Sequence, residues 1–211
     1  KRLNQMVNSP PPELSLTEAR ILEAAKKIFI LNGFEGTSMQ TIANEAGINK
    51  SLLHYYFRNK EKLFTAVFSF AFQNFVPQIQ EILNSETTIF VKIERIVGQY
   101  MDMLLKNEFI PAFILHEINR NPDGIFTIMH ASGINPGSFI HQFESEIRKG
   151  QIHRIDPRHL IVNLIALCVF PIAAKPLMQR ILFENNESEY QRFLHERKTY
   201  VTEFLIQSIK T

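Results

Sequence analysis

Residues 37–64, TSMQTIANEAGINKSLLHYYFRNKEKLF, decide how this chain is read. The segment predicts two short helices joined by a tight turn, then a third helix that opens on basic residues. Ile42 and Ala43 lie on the first of these helices. Ala46, Gly47 and Ile48 make the turn, and Leu53 and Phe57 form the apolar face of the second. Ala43 is small where two helices must pack closely, and Gly47 can adopt positive φ at little cost. This is the grammar of a helix-turn-helix, whose second helix enters the major groove of DNA.

Local signals agree. Ser38 and Thr37 are both good N-caps, and Thr37 with Gln40 has capping-box spacing. Asn49 stands ready to cap the second helix before Lys50, and Asn59 the third before Lys60. Helix starts present free N–H groups that suit phosphate. Lys50, Arg58, Lys60 and Lys62 outnumber Glu61 over residues 49–62, with His54, Tyr55 and Tyr56 interleaved. A purely structural three-helix unit needs the apolar residues but not this polar and basic face. The candidate DNA contacts are therefore Ser38, Gln40, Asn49, Lys50, Ser51, His54, Tyr55, Tyr56 and Lys60. Lys60 is assigned to phosphate. Lys50, Ser51 and Tyr55 are assigned to base edges, with Gln40 reaching in from the preceding helix.

The run from Leu16 to Phe64 resembles the TetR/AcrR family of bacterial regulators. It contains a helix with Ile21, Ala25, Ile28 and Phe29, then GFEGTSM, then IANEAGINKSLLHYYF, then NKEKLF. The ordered combination of G-F-x-G-T-S, I-A-x-x-A-G and Y-x-F-x-x-K-E-x-L is specific, whereas each piece alone is weak. The resemblance implies an all-α protein with an N-terminal three-helix reader and a C-terminal helical bundle for ligand binding and dimerisation. Ser51 stands where the family often has Gly or Pro, and His54 where it usually has Tyr. Both positions face DNA in relatives, so base preference does not carry over.

Composition is compatible with this. A chain of 211 residues can bury a substantial core. Its formal net charge is only +2, but residues 1–65 carry nine Lys or Arg against six Asp or Glu, so the excess lies with the reader. Cys168 is the single cysteine, which excludes an intramolecular disulfide and is compatible with the cytoplasm. The start, KRLNQMVNSPPPEL, lacks the apolar core of a secretory signal. The most apolar run, residues 160–174, is too short to span a bilayer and contains Asn163 and Pro171, so no membrane association is expected. It reads as a buried helix with a proline kink.

Helix is expected nearly throughout. Residues 1–15, with Pro10–Pro12, form a mobile arm; 16–63 form the reader; 64–211 form the second domain. The first helix runs from about Thr17 to Asn32 and stops at Gly33. The fourth starts near Lys60 and continues past Phe75, with Pro77 kinking or ending it. Later helices are expected near 87–107, 109–120, 122–131, 136–149, 157–183 and 188–209.

The second domain is rich in large apolar side chains. Ile93, Val97, Tyr100 and Leu104 share a helical face, as do Phe109 and Phe113, and Phe139, Phe143 and Ile147. Each fits an ordinary core. The family resemblance adds a second reading, a cavity for an apolar ligand. Polar residues set among apolar ones, His116, Asn163 and His130, suit such a pocket, which is mostly apolar with a few placed polar groups. The pocket assignment is Tyr100, Leu104, Phe113, His116, Phe139, Phe143 and Asn163, for an unidentified small apolar molecule.

The final helix carries one stripe of Tyr190, Leu194, Arg197, Val201, Phe204 and Leu205, and another of Phe193, Tyr200 and Gln207. The resemblance implies that the last two helices pair with their mates in a four-helix dimer interface. The interface residues so assigned are Ile161, Ile165 and the first stripe. A two-fold homodimer on double-stranded DNA would read a palindrome.

Catalytic readings find no residue set. His116-Glu117-Ile118-Asn119-Arg120 begins like H-E-x-x-H but lacks the second His that zinc needs one helical turn on. His153 and His159 flank Asp156-Pro157 as solvated loop residues, and Cys168 reads as a small buried apolar residue. No nucleophile elbow, P-loop or dinucleotide fingerprint is present. Neither an enzyme nor a cofactor or metal site is expected. The expectation is a homodimeric repressor released from its operator by a small apolar ligand. The alternative is a DNA-binding regulator tuned by a protein partner or metal. A helical carrier or enzyme with a vestigial reader is the remote one.

Overall fold

The computed structural model describes residues 15–72, 75–120, 122–131 and 133–211. The side chains of residues 71, 72, 113, 116, 117, 120, 128, 129 and 131 are not among those described. The arm expected over residues 1–15 therefore lies outside the described residues, apart from Ser15. The chain divides into two compact units after Phe68.

The first unit begins with α1 (Leu16–Asn32), whose N-cap Ser15 accepts a hydrogen bond from the Glu18 amide. Its apolar face, with Ile21, Ala25, Ile28 and Phe29, is buried. Two short helices follow, α2 (Met39–Glu45) and α3 (Lys50–Tyr56), and then α4 (Lys60–Phe72), within which the division falls. Ile42, Ala43, Leu53 and Leu63 are fully buried beside α1 residues. Phe64 stands edge-on to both Phe29 and Phe34, with ring centroids 5.2 and 5.1 Å away. Such pairs add about 0.5–1.5 kcal/mol beyond area burial.

The second unit holds α5 (Phe75–Asn84), α6 (Ile89–Lys106), α7 (Phe109–Arg120), α8 (Pro122–Ala131) and α9 (Gly137–Arg148). It closes with α10 (Pro157–Ala173), α11 (Lys175–Leu182) and α12 (Glu187–Ile209). The fourth helix, expected to continue past Phe75, is described as α4 up to Phe72 and helix is described again from Phe75; the two residues between lie outside those described. Pro77 lies within α5. Central to this unit is α6, which packs against α5, α9, α10 and α12 through Ile89, Ile93, Val97, Met101 and Leu104. Lys92 is buried there. Its ammonium donates to the Leu83 carbonyl at 2.7 Å, at the C-terminal end of α5 where a cation suits the helix dipole. Burial lowers its pKa.

The single helix expected over 157–183 is two helices, α10 and α11, bent by 75°. Pro171 has no N–H for the Leu167 carbonyl one turn back, and Arg197 of α12 donates to that carbonyl instead, at 2.7 Å. The Pro171 carbonyl accepts from the Tyr190 hydroxyl, also on α12. Pro176 then occupies the first turn of α11, where proline is tolerated. Two α12 side chains thus satisfy the backbone groups that the break would leave bare. Among the described residues there is no strand, only an isolated bridge between Ile152 and Lys210. No single helix among them is long and apolar enough to cross a membrane.

Candidate nucleic-acid interface and apolar cavity

The turn before α2 is built residue by residue. Gly33 ends α1, its amide bonded to the Phe29 carbonyl at 2.9 Å. A Cβ at Gly36 would collide with the Asn32 carbonyl oxygen, so no larger residue fits without the backbone moving. Thr37 is buried, and its hydroxyl donates to the Gly33 carbonyl at 2.6 Å. It therefore does not form the capping box with Gln40 that its spacing suggests. Ser38 alone caps α2, accepting from the Thr41 amide at 3.1 Å, while the Gln40 amide pairs with Asn44 at 2.9 Å. Between α2 and α3, Gly47 has φ +62°, the left-handed value that the turn requires. Asn49 accepts from the Leu52 amide at 2.8 Å and caps α3; Asn59 accepts from Lys62 at 2.9 Å and starts α4.

These caps fix which side of α3 faces outward. Leu53 is fully buried, whereas Lys50, Ser51 and His54 are exposed and Tyr55 is 82% exposed. Tyr56 is half-buried and stands edge-on to Tyr55 at 5.5 Å. A ring nitrogen of His54, Nδ1, lies 3.1 Å from the Arg58 carbonyl oxygen, holding the ring toward the end of α3. Ser38, Gln40 and Asn49 are exposed on the same reader. Lys60 differs from the others. Its ammonium donates to the Phe34 carbonyl at 2.7 Å and lies 4.3 Å from the centre of the Phe34 ring. It ties the start of α4 to the turn after α1, a structural task that its sequence position does not reveal. An ammonium has three donors, so two stay available.

Inside the second unit lies a cavity of about 370 Å³. Its walls come from α5, α6, α7, α8, α9 and α10 and the segment before α9. Tyr100, Leu104 and Phe139 line it as assigned from sequence. The rest of that assignment divides. Phe143 is fully buried core and is not among the lining residues. Asn163 is exposed on the outer side of α10, so the polar interruption of the apolar run marks a surface and not the cavity. The Phe113 and His116 side chains lie outside those described, and His130 is exposed beside Phe126, 5.9 Å away. Sequence reasoning missed Phe75, Ile79 and Leu83, although their spacing of four along α5 is the signal of a shared face. It also missed Ile114 and Leu164. Among the described lining residues, Tyr100 alone has a polar side-chain group. Burial raises its pKa, so its hydroxyl stays protonated as a donor.

The assigned interface residues also divide. Tyr190, Leu194, Val201 and Leu205 are fully buried within the chain, where α12 packs on α6 and α10. They have no surface to offer a partner. Arg197 is half-buried at Leu167, and Ile161 is half-buried at the cavity. Ile165 and Phe204 are exposed. Phe204 lies with Tyr200, from the second stripe, on the outer side of α12. Val162 and Phe170 of α10 and Leu177 and Ile181 of α11 are exposed as well, so each of these three helices leaves large apolar side chains in water. Isolated surface hydrophobics are ordinary, whereas a contiguous exposed patch is characteristic of association sites. Among the described residues no His, Cys, Asp and Glu cluster could hold a metal. Cys168 is wholly buried, and burial pushes its thiol up to about 12.

Fold and site define the class: an all-α protein whose N-terminal unit is a helix-turn-helix reader. Residues 21–67 match the family model described as bacterial regulatory proteins, tetR family. Over that stretch the chain is similar to the TetR family of DNA-binding transcriptional regulators. The fatty acid metabolism regulator protein of Bacillus subtilis is 24% identical over 85 residues, 40% of this chain and 44% of that protein. The transcriptional regulator UidR of Escherichia coli is 37% identical over 62 residues, 29% of this chain and 32% of its own length. The chain thus spans less than half the length of these two relatives. A proposed fatty acid metabolism regulator from Clostridium perfringens shares the fold, with a TM-score of 0.69 at 20% identity, covering 91% of this chain and 99% of that one.

Proposed function

We propose that this protein is a homodimeric repressor that binds a palindromic operator and is released from it by a small apolar ligand. The observation that carries the reading is α3: a capped seven-residue helix whose apolar side is buried and whose Lys50, Ser51, His54 and Tyr55 face outward. One such helix reads only a few base pairs, so specificity calls for two copies about 34–36 Å apart, in successive major grooves. The exposed apolar surface of α10, α11 and α12 supports a partner there. The domain roles follow: residues 16–63 read DNA, and 64–211 bind ligand and dimerise.

The cavity supports a ligand of definite character. Its volume falls within the range of small-molecule sites, about 300–1,000 Å³. Its described walls carry no charged side chain and a single hydroxyl, that of Tyr100. A relative bears the name of a fatty acid metabolism regulator. A long aliphatic chain with one hydrogen-bonding group fits both facts. Release would be a population shift, in which ligand favours a dimer whose recognition helices no longer match the groove spacing. Moving that equilibrium from 1:99 to 99:1 takes about 5.5 kcal/mol of differential binding.

The test is recovery and sequencing of genomic DNA bound by the protein, followed by titration of the complex with aliphatic alcohols and carboxylic acids of graded length. The expected result is an enriched palindrome with half-sites about one DNA turn apart, released by one range of chain lengths. Enrichment of no sequence would end the reader assignment. An operator complex indifferent to every compound would end the ligand assignment and favour control by a protein partner or metal.

A further inference from the structure

The tautomer of His54 is set by the backbone that follows α3. The helix ends at Tyr56. Phe57 is extended, its side chain buried and its amide bonded to the Leu53 carbonyl at 2.8 Å. Asn59 caps α4 through the Lys62 amide, and its carbonyl accepts from the Leu63 amide at 3.2 Å. Arg58 is therefore held from both sides, and its carbonyl oxygen lies 3.1 Å from His54 Nδ1. A carbonyl oxygen only accepts, so the proton of the neutral ring sits on Nδ1; the other tautomer would set two lone pairs against each other. That leaves Nε2 as an acceptor on an exposed side chain. In this His54 differs from its outward neighbours on α3: Lys50 only donates, and the hydroxyls of Ser51 and Tyr55 do both.

We propose that His54 is a specificity-determining residue that accepts a hydrogen bond from a base amino group, and so selects C or A over G or T at one position of the operator. This rests on the reading of α3 as the recognition helix and names what one of its side chains recognises. Phosphate oxygens only accept, as Nε2 does, so the two cannot bond directly. The base donors of the major groove are amino groups, N4 of C and N6 of A. At the corresponding places G and T carry O6 and O4, acceptors that would meet Nε2 lone pair to lone pair. His54 lies one helical turn after Lys50, on the same side of α3. The two residues thus present a donor and an acceptor side by side. Lys50 suits a keto base, G or T, and His54 an amino base, C or A.

The experiment selects binding sites from a random duplex library with the full chain at about pH 8, where an ordinary imidazole is neutral. Long-range proton–nitrogen spectra of the labelled protein at the same pH show which ring nitrogen carries the proton. The chain has seven histidines, and the His54 signal is the one lost in His54→Phe. That variant keeps a planar ring without the acceptor, whereas His54→Arg replaces the acceptor by donors. The side chain is exposed, so both variants fold, as circular dichroism checks. The expected result is a proton on Nδ1 and a consensus with one position that favours C or A by about fivefold. His54→Phe relaxes that position alone, and His54→Arg turns its preference to G or T. A proton on Nε2 overturns the proposal. So does a His54→Phe variant that weakens binding to every sequence alike, the mark of a phosphate contact, or one that leaves the consensus unchanged; in both cases the reader assignment stands. Enrichment of no sequence by the wild type overturns the reader assignment, and this proposal with it.

Discussion

Lys50 and Lys60 look alike in the sequence, each a lysine opening a helix behind a capping asparagine. The structure gives them different tasks. Lys50 is exposed on α3, whereas Lys60 is bonded to the Phe34 carbonyl and lies over its ring. Lys50→Ala should leave stability within about 0.5 kcal/mol and change the preferred operator by about 1–3 kcal/mol at one base pair. Lys60→Met should cost the protein about 1–2 kcal/mol of stability as well as weaken binding to every DNA sequence. Urea denaturation beside salt-dependent DNA titration separates the two. Equal stability loss in both variants would refute the division. A second residue-scale prediction concerns acid. Glu187 accepts from Gln191, Lys175 and Gln179, which lower its pKa from 4.5 to about 2. A depressed carboxylate stabilises the fold above its unfolded value and loses that contribution as pH falls through the folded one. Between pH 4.5 and about 2 the wild type should therefore lose stability that Glu187→Gln does not, as followed by thermal melts.

At the scale of elements, the α10–α11 break depends on α12. Pro171 deprives the Leu167 carbonyl of its helical donor, and the Arg197 guanidinium supplies a replacement. Arg197 has little freedom there: its Nε is buried with no partner among the described residues. Arg197→Met should leave the Leu167 carbonyl unsatisfied at a cost of about 1–3 kcal/mol. In a Pro171→Ala background the amide at position 171 can serve that carbonyl, so the same change should cost about 1 kcal/mol less. A double-mutant cycle by denaturant unfolding measures the difference, and strictly additive costs would mean that the proline and the arginine are unrelated.

For the whole molecule, the two faces of α12 separate folding from association. Val201 is buried against the chain's own helices, and Phe204 is exposed three residues on. Val201→Glu should bury a carboxylate and cost more than about 3 kcal/mol, unfolding much of the second unit. Phe204→Glu should leave the melting temperature of the monomer nearly unchanged and abolish dimerisation. Sedimentation with circular dichroism distinguishes them. If Phe204→Glu unfolds the chain and Val201→Glu only dissociates it, the two faces have been exchanged.

The sequence by itself determined the reader. Every element of the helix-turn-helix carries contacts within a few residues: Ser38, Asn49 and Asn59 cap their own helices, and Gly47 supplies the positive φ of the turn two residues before the Asn49 cap. Such contacts leave a local record, and most of α1 to α4 is legible from it. Where that record misled, a nonlocal contact had prevailed: Thr37 turned back to Gly33 instead of capping, and Lys60 reached Phe34. The second unit left a weaker trace. Its helices follow from apolar spacing and from proline and glycine, but spacing says only that a side chain is apolar. Whether Phe143 is core and Phe139 is cavity wall depends on where α5, α6, α7, α8 and α10 come to lie around α9. The same holds for the two stripes of α12. Both are apolar enough to be buried, and the packing of α6 and α10 chose one, leaving Tyr200 and Phe204 outside. Only the tertiary structure decides between equivalent faces, because burial is a property of neighbours and not of the residue buried.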